Sequence, residues 1–185
     1  MIKKIVFPLL LVVGLVSCEE KEVFLYPNFS ESATFNIKTD GFEYDASINA
    51  SAISDEVNDA VEDEGSVDQV VLEGLWFEVT ENSGNTADEL TIDLMIKESG
   101  SDEYLYILHD YEFEIKDGKV VFLNELVPEG VLALKKQIND IALGMSSGDV
   151  AFKAVGETTP EGSEVDVTVE VFVNATVVYT TEVGM

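Results

Sequence analysis

Residues 165–183 read VDVTVEVFVNATVVYTTEV, with Val165, Val167, Val169, Val171, Val173, Ala175, Val177, Tyr179 and Val183 set against Asp166, Thr168, Glu170, Asn174, Thr176 and Glu182. In an extended chain successive side chains leave opposite faces, so this alternation writes one apolar face and one wet face. The valines add a β-branched bias that suits a pleated, half-buried surface. The run is much longer than a typical strand of five or six residues. A bend or bulge near Asn174-Ala175 is therefore expected, either splitting it or letting it pass from one sheet to another.

The same period runs back through the chain. Ala33, Phe35 and Ile37 alternate with polar neighbours, as do Phe42, Tyr44, Ala46 and Ile48, and the Asp40-Gly41 turn between them suggests two strands tightly joined. Residues 67–80 are apolar at both parities around Val70, Val71, Leu72, Leu75, Trp76 and Phe77, the pattern of a strand in mid-sheet. The loop 81–88 leads to 89–97, where Leu90, Ile92, Leu94 and Ile96 share a face. Residues 103–108 and 149–155 read as further strands. Between 111 and 124, Lys116-Asp117-Gly118-Lys119 carries the Asp-Gly pair favoured by a type I′ turn, which predicts a hairpin with Phe113 opposite Phe122 and Ile115 opposite Val120.

Two segments carry helical spacing instead. Ser54-Asp55-Glu56 offers an N-cap and an acidic first turn ahead of Val57, Ala60 and Val61, with Gly65 to close the end. Pro128 and Glu129 open a helix whose Val131, Leu134, Ile138 and Ile141 share a face opposite Lys135, Lys136 and Asn139, ending near Gly144. So many strands with so few crossover helices predict a mainly β chain, an antiparallel β-sandwich of about nine strands with one or two short helices, as one domain over 33–185.

The N-terminus is built differently. Met1-Ile2-Lys3-Lys4 precedes an apolar run from Ile5 to Val16 that is shorter than the roughly 20 residues a spanning helix needs, and Cys18-Glu19-Glu20-Lys21-Glu22 follows at once. Leu15-Val16-Ser17-Cys18 resembles the lipobox of bacterial lipoproteins. The resemblance implies removal of residues 1–17 as a signal peptide, and a diacylglycerol on Cys18 with acylation of the freed amine by a chain such as palmitate. Two or more acyl chains hold a protein firmly on a bilayer. The acidic tract after Cys18 is similar to those that some Gram-negative lineages use for surface display, so outer-membrane anchoring is expected, with the cell surface favoured over the periplasmic face. Residues 18–32, with Tyr26-Pro27-Asn28, read as the lipidated cysteine and a tether.

Composition excludes several functions. The chain has 185 residues, ten Lys, no Arg, 37 acidic residues and a net charge of −27, which falls further when Lys3 and Lys4 leave with the signal. Such a charge repels nucleic acid, and without Arg there is no bidentate reader of phosphate. The resemblance implies that the single cysteine is committed to lipid, which would leave no thiol chemistry and no disulfide.

Few residues are left for catalysis. His109, the only imidazole, lies in Leu108-His109-Asp110. Neighbours in an extended chain point to opposite faces, so His109 and Asp110 are badly placed as base and orienter, and a structural or surface histidine is the better reading. No nucleophile elbow, zinc-protease motif or phosphate loop is present. A small hydrolase using two carboxylates needs only a pair of acids on a groove, but among 37 none can be singled out. No catalytic residue and no enzymatic activity are expected.

Calcium suits a chain rich in hard oxygen donors. Its candidates are Asp55, Asp59, Glu62, Asp63 and Glu64, which do not fit EF-hand spacing and read more simply as a solvated helix face. Otherwise no cofactor is expected. Trp76, Tyr104, Tyr106 and Phe172 fall on the parity away from the main apolar face and are the candidates for a binding surface that stacks on sugar rings or docks a protein, although semi-buried packing is the plainer reading. Together these features predict a non-enzymatic binding or structural module held on the membrane through Cys18, with a protein or glycan partner. A calcium-dependent adhesive module is the first alternative.

Overall fold

The computed structural model describes residues 21–61 and 65–183. These residues form an antiparallel β-sandwich of nine strands with two helices. In chain order these are β1 (Lys21–Leu25), β2 (Asn28–Ile37), β3 (Phe42–Ile48), α1 (Ala50–Ala60), β4 (Ser66–Glu81), β5 (Glu89–Lys97), β6 (Tyr104–Glu114), β7 (Lys119–Phe122), α2 (Pro128–Ala142), β8 (Val150–Thr159) and β9 (Val167–Val183). One sheet runs β1-β9-β4-β7, with β2 also on β9; the other runs β3-β8-β5-β6.

The pairs β2 with β9, β3 with β8, β4 with β7 and β5 with β6 are nested, so the chain behaves as one long hairpin closed at β5–β6 and rolled into two sheets. This is the jelly-roll arrangement, in which strands next to each other in sequence mostly lie in different sheets. The alternation read from sequence supplies the core: Phe35, Ile37, Phe77, Leu90, Ile92, Leu94, Ile96, Phe152, Val167, Val169 and Val171 are all buried between the sheets.

This topology corrects several expectations. The Asp-Gly turn at 117–118 does not close a hairpin. β7 pairs with β4, placing Phe122 beside Trp76, while Phe113 on β6 pairs with Leu90. Gly118, at φ +67, makes the tight turn, and its N–H donates to Val79 O at 2.9 Å, already on the other sheet. Turn chemistry fixes local reversal, whereas strand partners are fixed by which apolar faces must meet. Asp40-Gly41 likewise carries the chain between sheets. There the Asp40 carboxylate accepts from Thr158 N–H (3.1 Å), Thr158 Oγ1 (2.9 Å) and Gly162 N–H (2.6 Å), tying the β2–β3 turn to the far end of β8.

From Lys21 on, the segment expected as a tether is strand apart from Tyr26 and Pro27. β9 has an edge of backbone groups that must be satisfied. β2 pairs it from Val167 to Thr176 and β1 from Tyr179 to Val183, with Pro27 O accepting from Val177 N–H at 2.8 Å between them. β9 therefore stays whole and in one sheet. The irregularity expected at Asn174-Ala175 sits on its partner instead, where β4 slips register between Leu72 and Gly74.

Helix α1 begins four residues before Ser54, and its first N–H is served from afar: Ala50 N–H donates to Asp149 Oδ1 at 2.9 Å. α2 buries Leu134, Ile138 and Ile141 as the spacing predicts. Asn139 is half-buried, and its Oδ1 accepts from Val70 N–H at 2.9 Å.

Candidate functional site

The outer face of the β3-β8-β5-β6 sheet carries a local defect with chemistry in it. Along β5 the buried Leu90, Ile92, Leu94 and Ile96 leave Thr91, Asp93 and Met95 facing outward. Pairing with β6 runs Ile92 to Tyr111 and then Leu94 to Leu108, so two residues, His109 and Asp110, stand opposite the single Asp93. This is a β-bulge, and Asp110 takes a left-handed φ of +48, which aspartate tolerates better than most residues.

The bulge overturns the geometric argument against His109 and Asp110, because the backbone there is not extended and the two side chains face each other beside Asp93. One Asp93 oxygen, Oδ1, lies 2.8 Å from His109 Nδ1 and accepts from Asp110 N–H at 2.8 Å. On the other side of the ring, Nε2 lies 3.5 Å from Asp110 Oδ2. The Tyr106 ring sits 4.7 Å from the imidazole, tilted against it. The hydrogen bond to Asp93 raises the His109 pKa above the usual imidazole value, and the negative charges of Asp110 and Asp93 add to the effect.

Beside this group is an open hollow of about 240 Å3 lined by Thr91, Asp93, Asp110, Val155, Gly156 and Glu157. Gly156 lets β8 and β5 approach closely here; a Cβ would lie 2.0 Å from Thr91 O. Farther along the same face, Lys153 pairs with Glu43 and lies 5.1 Å over the Tyr104 ring.

The sequence-expected site residues divide. Tyr104 and Tyr106 belong to this face, whereas Trp76 and Phe172 lie on the outer face of the opposite sheet. There they stack at 5.2 Å with ring planes 5° apart. The cross-strand register adds Phe122 on the other side of Trp76, giving a row Phe122–Trp76–Phe172 across three strands. Phe122, 75% exposed, was not anticipated because the expected hairpin put it against Phe113. Of the calcium candidates, Asp55 and Asp59 are exposed on α1, and Glu62, Asp63 and Glu64 lie outside the described residues, as does Cys18. Among the described residues, the group whose ligand atoms converge is Asp93, His109 and Asp110, all within 4.8 Å of one another. The gap between the two strand patterns at 109–110 was the visible trace of the bulge; nothing pointed to Asp93.

No family model matches this chain and no curated protein is similar to it. Among solved structures it is similar to one of desmodium yellow mottle tymovirus, at 10% identity over 89% of this chain and 91% of that one, with a TM-score of 0.41. It is similar also to empty-head turnip yellow mosaic virus, at 10% identity over 89% and 83%, with a TM-score of 0.34. Likeness this loose assigns neither family nor function.

Proposed function

We propose that this chain is a lipid-anchored envelope module of the outer membrane, non-enzymatic, which holds a glycan or protein partner on its surface. The observation that carries the reading is Leu15-Val16-Ser17-Cys18 directly behind a charged start and a short apolar run. Lipid on Cys18 would place the domain close to the bilayer, because β1 begins at Lys21 and three residues reach about 11 Å at most. The partner face is the row Phe122–Trp76–Phe172: aligned, partly exposed rings on a rigid sheet offer a flat apolar platform to a sugar ring or an apolar side chain.

The test is metabolic labelling with radioactive palmitate followed by fractionation and protease shaving of intact cells. The wild-type chain should take up label, sediment with the outer membrane and be shaved; Cys18→Ser should lose the label and the membrane association. An unlabelled wild-type chain in the soluble fraction would overturn the anchoring.

A further inference from the structure

We propose that the β6 bulge is a binding site for one divalent transition ion of borderline character, such as zinc, held by His109 Nε2 and the Asp110 carboxylate and oriented by Asp93. The inference is independent of the lipid anchor and of the aromatic row, which lies on the other sheet.

The argument starts from the spacing. Two ligands of a tetrahedral zinc, each about 2.0–2.1 Å from the metal, stand about 3.3 Å apart. His109 Nε2 and Asp110 Oδ2 are 3.5 Å apart, longer than the roughly 2.7–2.9 Å of a charge-assisted hydrogen bond and close to what a shared metal requires. Asp93 supplies the second element. With Nδ1–H donating to Asp93 Oδ1 at 2.8 Å, it is Nε2 that offers a lone pair once the ring is neutral, and it is aimed at the Asp110 carboxylate, which is also an acceptor. In that state the two face each other as acceptors, and a divalent cation that takes the place of the Nε2 proton satisfies both. A carboxylate behind a histidine that faces a metal is the usual arrangement that fixes the tautomer and strengthens the ligand.

The backbone is built for this contact. Without the extra residue, His109 and Asp110 would leave opposite faces of β6; the bulge and the left-handed Asp110 bring both to Asp93, which also holds the Asp110 N–H. Bulges of this kind re-aim side chains and recur beside functional sites. The site is open to solvent, with the His109 and Asp110 side chains 56% and 77% exposed, and the hollow bounded by Glu157 leaves room for water on the remaining positions. The imidazole sets the class of ion: calcium and magnesium take all-oxygen shells, whereas mixed nitrogen and carboxylate donors suit zinc and its neighbours. The acidic surface raises the local cation concentration.

The experiment is a zinc titration of the full chain carrying Cys18→Ser in non-ionic detergent, read by calorimetry and by nitrogen NMR of the imidazole. His109 is the only histidine, so its ring signals need no assignment. Expected are one equivalent of zinc per chain, an Nε2 signal moved into the metal-bound range with Nδ1 still protonated, and at least tenfold weaker binding in His109→Gln and in Asp110→Asn. Asp93→Asn should weaken binding 10- to 100-fold, the usual cost of losing a metal ligand's orienting partner. The first two side chains are exposed, so those variants keep the fold and the test stands even if Asp93→Asn disturbs the bulge. Ring signals that zinc leaves in place, or equal affinity in His109→Gln, would overturn the proposal and leave the ion spread over the acidic surface.

Discussion

Replacing Gly130 by Ala sets two physical effects against each other, and the structure decides the sign. Gly130 lies in the first turn of α2, away from the left-handed region, where Ala is the better helix former by up to about 1 kcal/mol. From the sequence the substitution looks stabilising. In the fold, a Cβ at this position would sit 2.1 Å from the Tyr106 carbonyl oxygen, 2.6 Å from its carbon and 2.9 Å from Ile107 N, all backbone of β6. A carbon normally approaches such an oxygen no closer than about 3.3 Å, so helix and strand must part by about 1 Å. They are held together by Val127 N–H donating to Ile107 O at 2.8 Å, just ahead of the helix. Overpacking of a rigid contact costs about 1–3 kcal/mol, and a backbone clash belongs at the upper end. The net expectation is destabilisation of about 2 kcal/mol, a fall in Tm of about 4–8 °C for a domain of this size. Thermal and urea unfolding of residues 18–185 followed by circular dichroism measure it. A Tm equal to or above wild type would refute the close packing of α2 on β6.

Two further substitutions contrast the faces of one sheet: Phe77→Ala, fully buried against Phe113, should lose about 3–5 kcal/mol in urea unfolding, whereas Phe122→Ser should stay within about 0.5 kcal/mol. Equal losses would mean that Phe122 packs in the fold instead of facing a partner. Acid unfolding should report Asp40, whose pKa is lowered chiefly by the Gly162 N–H and then by the N–H and hydroxyl of Thr158. Because its folded value lies below the unfolded one, near 4, its contribution is complete above that value and lost as pH falls through the folded value. Urea midpoints measured from pH 6 to pH 2 should therefore fall less steeply in Asp40→Asn than in wild type, and parallel curves would show that the anchored turn does not couple to stability.

Most of the elements were legible in the sequence. Period-2 alternation located β3, β5 and β9, and Pro128 with the spacing of Leu134, Ile138 and Ile141 located α2, because burial of one face leaves a periodic mark on the residues that do it. Pairing leaves no such mark. The Asp117-Gly118 turn is equally good chemistry for a hairpin and for a crossing between sheets. Only the closure of two apolar faces over Phe35, Phe77 and Phe152 chose the crossing, which brought Phe122 beside Trp76 and left it exposed. Residues 21–32 looked like a tether because their charges mask the pattern; the open edge of β9 makes most of them strand. The candidate site divides the same way. His109 and Asp110 stand out in the sequence as an imidazole beside a carboxylate, but Asp93 is 16 residues from His109, and one extra residue in β6 aims all three together. Local periodicity records which faces are buried, and only tertiary structure decides which strands, and so which side chains, become neighbours.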